Sequence, residues 1–237
     1  MGISLIRLHT EKIKPPRALW VPFELGRPLG VPNDAAFQGR VLKAMLALLD
    51  AKSGPVLADY PEDAPGGGVT DMSGMACPIS FDRKGAAEES LEDAILREIR
   101  ELQPWYDLAF ERRGRTTFGS SGLAIEDVAR FLARWQTEMP PPSPRSGEPP
   151  EAVLKLAAED LKVFYLEALA GQPQPQSGRV AVDWFWSETA AARLFVALRE
   201  RCIADGDPGR QLIGRNLLVP REQWSRFGIT ERWWRAR

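Results

Sequence analysis

A stretch near the start of the chain, residues 17–32, reads RALWVPFELGRPLGVP and constrains the fold more than any other. A short apolar run, Ala18 to Val21, ends at Pro22, and Gly26, Pro28, Gly30 and Pro32 then force a turn. Asn33 and Asp34 follow and suit a helix cap, after which Phe37, Val41, Met45 and Leu48 recur at helical spacing. The order is strand, shaped loop, helix, and in open α/β sheets ligands collect where strands end and loops begin.

The flanks extend the pattern. Residues 2–8 form an apolar segment that reads as a strand, His9 to Pro16 is polar and then closed by two prolines, and residues 55–58 suit a further short strand. Leu42, Leu46 and Leu49 lie on other faces of the helix that carries Phe37, which predicts burial on more than one side. Three short strands do not make an independent doubly wound sheet, so their edges need cover from the rest of the chain or from a partner.

Beyond residue 60 the texture changes. Residues 60–85 are rich in Gly and Pro, with Cys77 in GMACPIS, and read as a long loop. Ser90 and Asp93 resemble a capping box ahead of an apolar face made by Leu91, Ala94, Ile95, Ile99 and Leu102, with Pro104 placed to kink or interrupt it. Residues 123–135 are helical again. Six prolines in residues 139–150 suit an extended linker. Residues 153–169 carry the strongest helical stripe, with Glu159, Asp160 and Lys162 read as its solvated face. Residues 184–202 read as one helix and 211–218 as a short last one. The expected architecture is a small α/β segment over 1–60, an irregular loop and helices over 61–138, a linker over 139–150 and a helical region over 151–237. The fold class is thus a small N-terminal α/β segment followed by a mainly α-helical region.

Composition narrows the chemistry. A net charge of −1 over 237 residues argues against general nucleic-acid or membrane-surface binding, which needs excess basic charge. Two cysteines, Cys77 and Cys202, cannot build a secreted disulfide framework, and one histidine offers no zinc cluster. The first residues, MGISLIRLHTEK, are too charged for a signal peptide, no run reaches transmembrane length, and the cytoplasm is the expected compartment. No cofactor signature is present, neither GxGxxG nor GxxxxGK[ST].

Candidate site residues follow from the loops. Gly26, Arg27 and Gly30 would let backbone amides and a guanidinium approach an anion, against a plain geometric turn. His9, at the end of the first strand, is the one base of its type. Cys77, in a glycine-flanked loop, is the candidate catalytic thiol, although a thiol needs an activating neighbour and none adjoins it in sequence. Cys202 continues the Ala191, Leu194, Phe195, Leu198 stripe and reads as core. The basic run RRGRTT, residues 112–117, would suit a phosphate or carboxylate, and the ERWWRAR tail reads as aromatics packed on the protein's own surface.

Val21-Pro22, Pro28-Leu29-Gly30 and Pro32, in that order ahead of a helix, resemble the C-terminal segment of the glycine, sarcosine and betaine reductase component B family. That family is related to D-proline reductase. The resemblance covers about the first fifth of the chain. It implies an oxidoreductase component acting on a small amino-acid-like substrate. The family's redox residue, a cysteine or selenocysteine in a glycine-rich loop, lies upstream of the matching segment. The resemblance therefore implies a separately encoded chain that carries it. The other expectation is a non-catalytic helical interaction protein that keeps the α/β segment as a docking module.

Overall fold

The computed structural model describes residues 1–23, 26–64, 81, 89–172 and 178–230, and within it the chain divides into two compact units. The first unit begins with strand β1 (Gly2–Ser4), helix α1 (Arg7–Ile13) and strand β2 (Arg17–Trp20). Helix α2 (Ala35–Ala47), a 3-10 turn (Leu48–Asp50) and strand β3 (Val56–Asp59) complete it. The strands form a parallel sheet in the order β1-β2-β3, with Ser4, Trp20 and Asp59 level with one another. Among the described residues no strand pairs with the outer edge of β1 or of β3.

The expected cap is in place. The Asp34 carboxylate accepts the Phe37 amide at 2.9 Å and starts α2. Phe37 and Val41 then pack with Leu19, Val21, Phe23 and Tyr60 on one face of the sheet. Burying each large apolar side chain contributes about 1.5–3 kcal/mol. Two expectations are corrected here. The apolar segment 2–8 is not one strand: β1 stops at Ser4 and α1 begins at Arg7, held by the Thr10 hydroxyl, which donates to Ile6 O and touches Ser4 Oγ. Leu42, Leu46 and Leu49 are not buried, being 40%, 50% and 57% exposed. A three-stranded sheet offers one face to α2, so only one of the helix's two apolar stripes finds cover.

The second unit is helical and mainly α. Its elements are α3 (Leu91–Arg113), α4 (Ile125–Arg134), α5 (Pro150–Ala170), α6 (Gly178–Glu188), α7 (Ala190–Ala204), α8 (Pro208–Asn216) and a 3-10 segment (Arg221–Phe227). Ser90 accepts the Asp93 amide and opens α3, which runs through Pro104 without ending. The proline-rich connection between α4 and α5 lies on the core, with Pro141 buried and Met139 packed against it. The single helix expected over 184–202 is two. Thr189 takes an extended backbone, accepts the Ala192 amide at 3.1 Å and donates to Phe185 O at 2.7 Å, ending α6 and capping α7. The core joins Tyr165, Trp184, Phe185, Trp186 and Phe195 through ring contacts of 5.2–6.3 Å. Cys202 is buried in that core, as its position on the α7 stripe predicts.

Candidate functional site

Parallel strands place their carboxyl ends, and the loops that leave them, on one side of the sheet. That side of the first unit carries Ser4, Trp20, Asp59 and the turn before α2. The turn closes where the Gly30 amide donates to Arg27 O at 2.9 Å. Gly30 has φ +85°, and a Cβ there would sit 2.6 Å from Phe37 Cε1. Geometry and packing therefore both require glycine at this position, independently of any ligand. Gly26 has φ +88° with open space around it, and Arg27 is exposed beside it.

His9 is in the middle of α1, not in a loop at a strand end. It is exposed, and among the described residues no hydrogen bond ties it to the Arg27 turn. At the strand ends Arg7 is already paired: its Nε donates to both Asp59 oxygens at 3.1 and 3.2 Å and its Nη1 pairs with Glu11. The start of α2 is occupied by its own Asp34 carboxylate, which lowers its call on an outside anion. The structure thus brings Gly26, Arg27 and Gly30 together and leaves His9 on another element. Cys77 lies outside the described residues, as does the ERWWRAR tail.

The exposed leucines form the other distinctive surface of this unit. Ala35, Gly39, Leu42 and Leu46 follow one another along α2 at steps of four and three, and Leu49 continues the stripe into the 3-10 turn. A Cβ at Gly39 would meet nothing within 4 Å. Small residues at one end and leucines at the other give a stripe against which a second helix can pack.

In the second unit the groups with chemical potential are turned inward. Asp160, expected on a solvated face, is fully buried. Its Oδ1 accepts the Gly119 and Ser120 amides at 3.0 and 2.9 Å, and its Oδ2 accepts the Ser121 amide and hydroxyl at 2.8 and 2.6 Å. Two turns along α5, Glu167 accepts Thr116 Oγ1 at 2.6 Å, the Thr117 amide at 3.1 Å and the Thr117 hydroxyl at 3.0 Å. The basic run 112–117 that suits a carboxylate does hold one, the protein's own Glu167, and Asp160 holds the turn that follows it.

Glu98 is the third buried carboxyl, 1% exposed on the apolar stripe of α3. It accepts the Ala190 amide at 2.8 and 2.9 Å and the Tyr165 hydroxyl at 2.8 Å. Burial pushes its carboxyl up to about 7, partly opposed by the bonds from Ala190 and Tyr165. Burial also pushes the Cys202 thiol up to about 11 and holds it as an unreactive thiol. The sequence pattern alone leaves Glu98 and Glu167 unnoticed and sets Asp160 on a solvated face. The signal that would have found them is a carboxylate inside an apolar stripe, as Asp160 stands four residues before Phe164 on α5 and Glu167 three after it.

A surface depression of about 390 Å³ lies on α3, lined by Pro104, Trp105, Asp107, Leu108 and Glu111, and Asp107 there already accepts the Gln103 amide at 2.8 Å. Among the described residues no group of three or more His, Cys, Asp or Glu side chains is placed to hold a metal ion. No described helix is long and apolar enough to cross a membrane. Comparison with protein families, curated proteins and solved structures finds no match for the chain.

Proposed function

We propose that this chain is a subunit of a reductase of the glycine, sarcosine, betaine or D-proline type, docking by its α/β unit on a separate chain that carries the redox cysteine or selenocysteine. The observation that carries the docking is the stripe on α2, where Leu42, Leu46 and Leu49 stay exposed while Phe37 and Val41 hold the helix on its sheet. The outer edges of β1 and β3, unpaired among the described residues, add backbone groups for a partner to pair with. The residues Val21-Pro22 and Pro28-Leu29-Gly30, on which the family resemblance rests, lie in the same unit. In this reading Arg27 and the Gly26–Gly30 turn meet the carboxylate of a small amino-acid-like substrate, and the partner supplies the electrons.

The test is reconstitution with a separately expressed component B-type chain bearing the redox residue, reading thiol-dependent reduction of glycine, sarcosine, betaine and D-proline. Turnover that needs both chains supports the proposal. A stable, inert monomer beside that chain sinks it. Retention of turnover in Cys77→Ala places the redox step on the partner, and its loss places it on Cys77.

A second reading, a non-catalytic interaction protein, is favoured by the commitment of Glu98, Asp160 and Glu167 to internal bonds. It predicts complex formation through the leucine stripe with no reductase activity in any combination.

A further inference from the structure

We propose that the junction of α3, α5 and the start of α7 is a proton-operated latch, tight when the Glu98 carboxyl is neutral and looser when it is charged. The carboxyl sits where three helices meet. It takes the first amide of α7, Ala190, on both oxygens and the Tyr165 hydroxyl of α5 on Oε2. Tyr165 in turn packs against the Trp184 and Phe185 rings, 6.3 and 5.6 Å away. Among the described residues no lysine or arginine closes an ion pair with it.

The charged groups facing this point are few. On α3, Arg97 is committed to Glu89 at 3.0 Å and Glu101 at 3.3 Å. On α7, Arg193 is exposed to solvent and acts from a distance. On α5, Tyr165 is held as a neutral phenol by burial and by Glu98 itself. The α6–α7 junction contributes Thr189, whose hydroxyl is already spent on Phe185 O and the Ala192 amide.

Two opposing effects meet at this carboxyl. An apolar site disfavours a lone carboxylate, whereas donated hydrogen bonds favour it. The neutral form keeps one bond to each partner, because the carboxyl O–H can donate to the Tyr165 oxygen while the other oxygen accepts the Ala190 N–H. The charged form accepts from both partners and adds the cost of a buried charge. Burial is the larger effect and moves the proton's release from the ordinary 4.5 up to about 7. Between those values the folded chain holds a proton that the opened chain gives up, so opening becomes easier as pH rises, and the trend levels above about 7.

Hydrogen exchange at the Ala190, Ala191 and Ala192 amides, corrected for intrinsic rates, tests the latch on the full chain from pH 5 to 8.5. The open population is expected to rise up to tenfold per pH unit below 7 and to level above it. Glu98→Gln should flatten the profile, since the glutamine carbonyl keeps an acceptor without a proton to release. Tyr165→Phe removes one donor to the charged form and should move the levelling point to higher pH. A wild-type profile without slope overturns the proposal, as does Glu98→Gln with the wild-type slope or Tyr165→Phe with the levelling point unmoved. Should Glu98→Gln fail to fold, the wild-type and Tyr165→Phe profiles decide.

Discussion

Ser121 gives both its backbone amide and its hydroxyl to a single oxygen of Asp160, at 2.8 and 2.6 Å, across 39 residues of sequence. With the Gly119 and Ser120 amides on the other oxygen, one α5 carboxylate fixes residues 119–121 of the connection between α3 and α4. Asp160→Ala would leave three backbone amides without that acceptor. A loss of about 3–5 kcal/mol is expected. Asp160→Asn keeps the shape and turns an amide N–H₂ toward donors, with a loss of about 1–3 kcal/mol. Urea denaturation of both variants checks the ranking, and equal stability with wild type would mean that the turn holds itself.

The two glycines of the Arg27 turn should respond differently to alanine. Gly26→Ala meets only the left-handed backbone cost of about 1–2 kcal/mol, with no neighbour in reach. Gly30→Ala meets the same cost and also drives a methyl into the Phe37 ring, adding about 1–3 kcal/mol of overpacking. Thermal denaturation distinguishes them, and a Gly30→Ala variant no worse than Gly26→Ala would contradict the close approach to Phe37.

Cys202 should be silent toward a thiol reagent in the folded chain. It is buried, and burial pushes its thiol up to about 11, so little thiolate exists at neutral pH. Native-state labelling should leave Cys202 unmodified, and denaturant should expose it. Rapid native labelling at Cys202 in a Cys77→Ala background would contradict this placement.

The local features of the fold were readable because they are written in near neighbours. Asp34 and Phe37 are three residues apart, as are Ser90 and Asp93, and the Pro–Gly turn after β2 is set within a handful of positions. The inward carboxylates were not readable. Glu98 meets Ala190 across 92 residues and Asp160 meets the 119–121 turn across about 40, so their partners emerge only when helices pack. The helix α2 shows the same limit from the other side. Its sequence has two apolar stripes, and nothing local says that Phe37 and Val41 win the sheet while Leu42, Leu46 and Leu49 lose it. His9 was misplaced because an apolar run of seven residues fits a strand and a short helix equally.

The central claim is that the α2 stripe is where a second chain docks. Replacing Leu42, Leu46 and Leu49 with serine should leave the monomer within about 0.5 kcal/mol per site of wild type, since exposed side chains contribute little to folding. The decisive measurement is the affinity of the wild-type chain and of this triple variant for the redox-bearing component B-type chain, determined by calorimetry at matched folded concentration. The account predicts measurable binding by wild type and at least a hundredfold weaker binding by the variant, about 2.7 kcal/mol. Equal binding by both, or no binding by the wild-type chain, would contradict it.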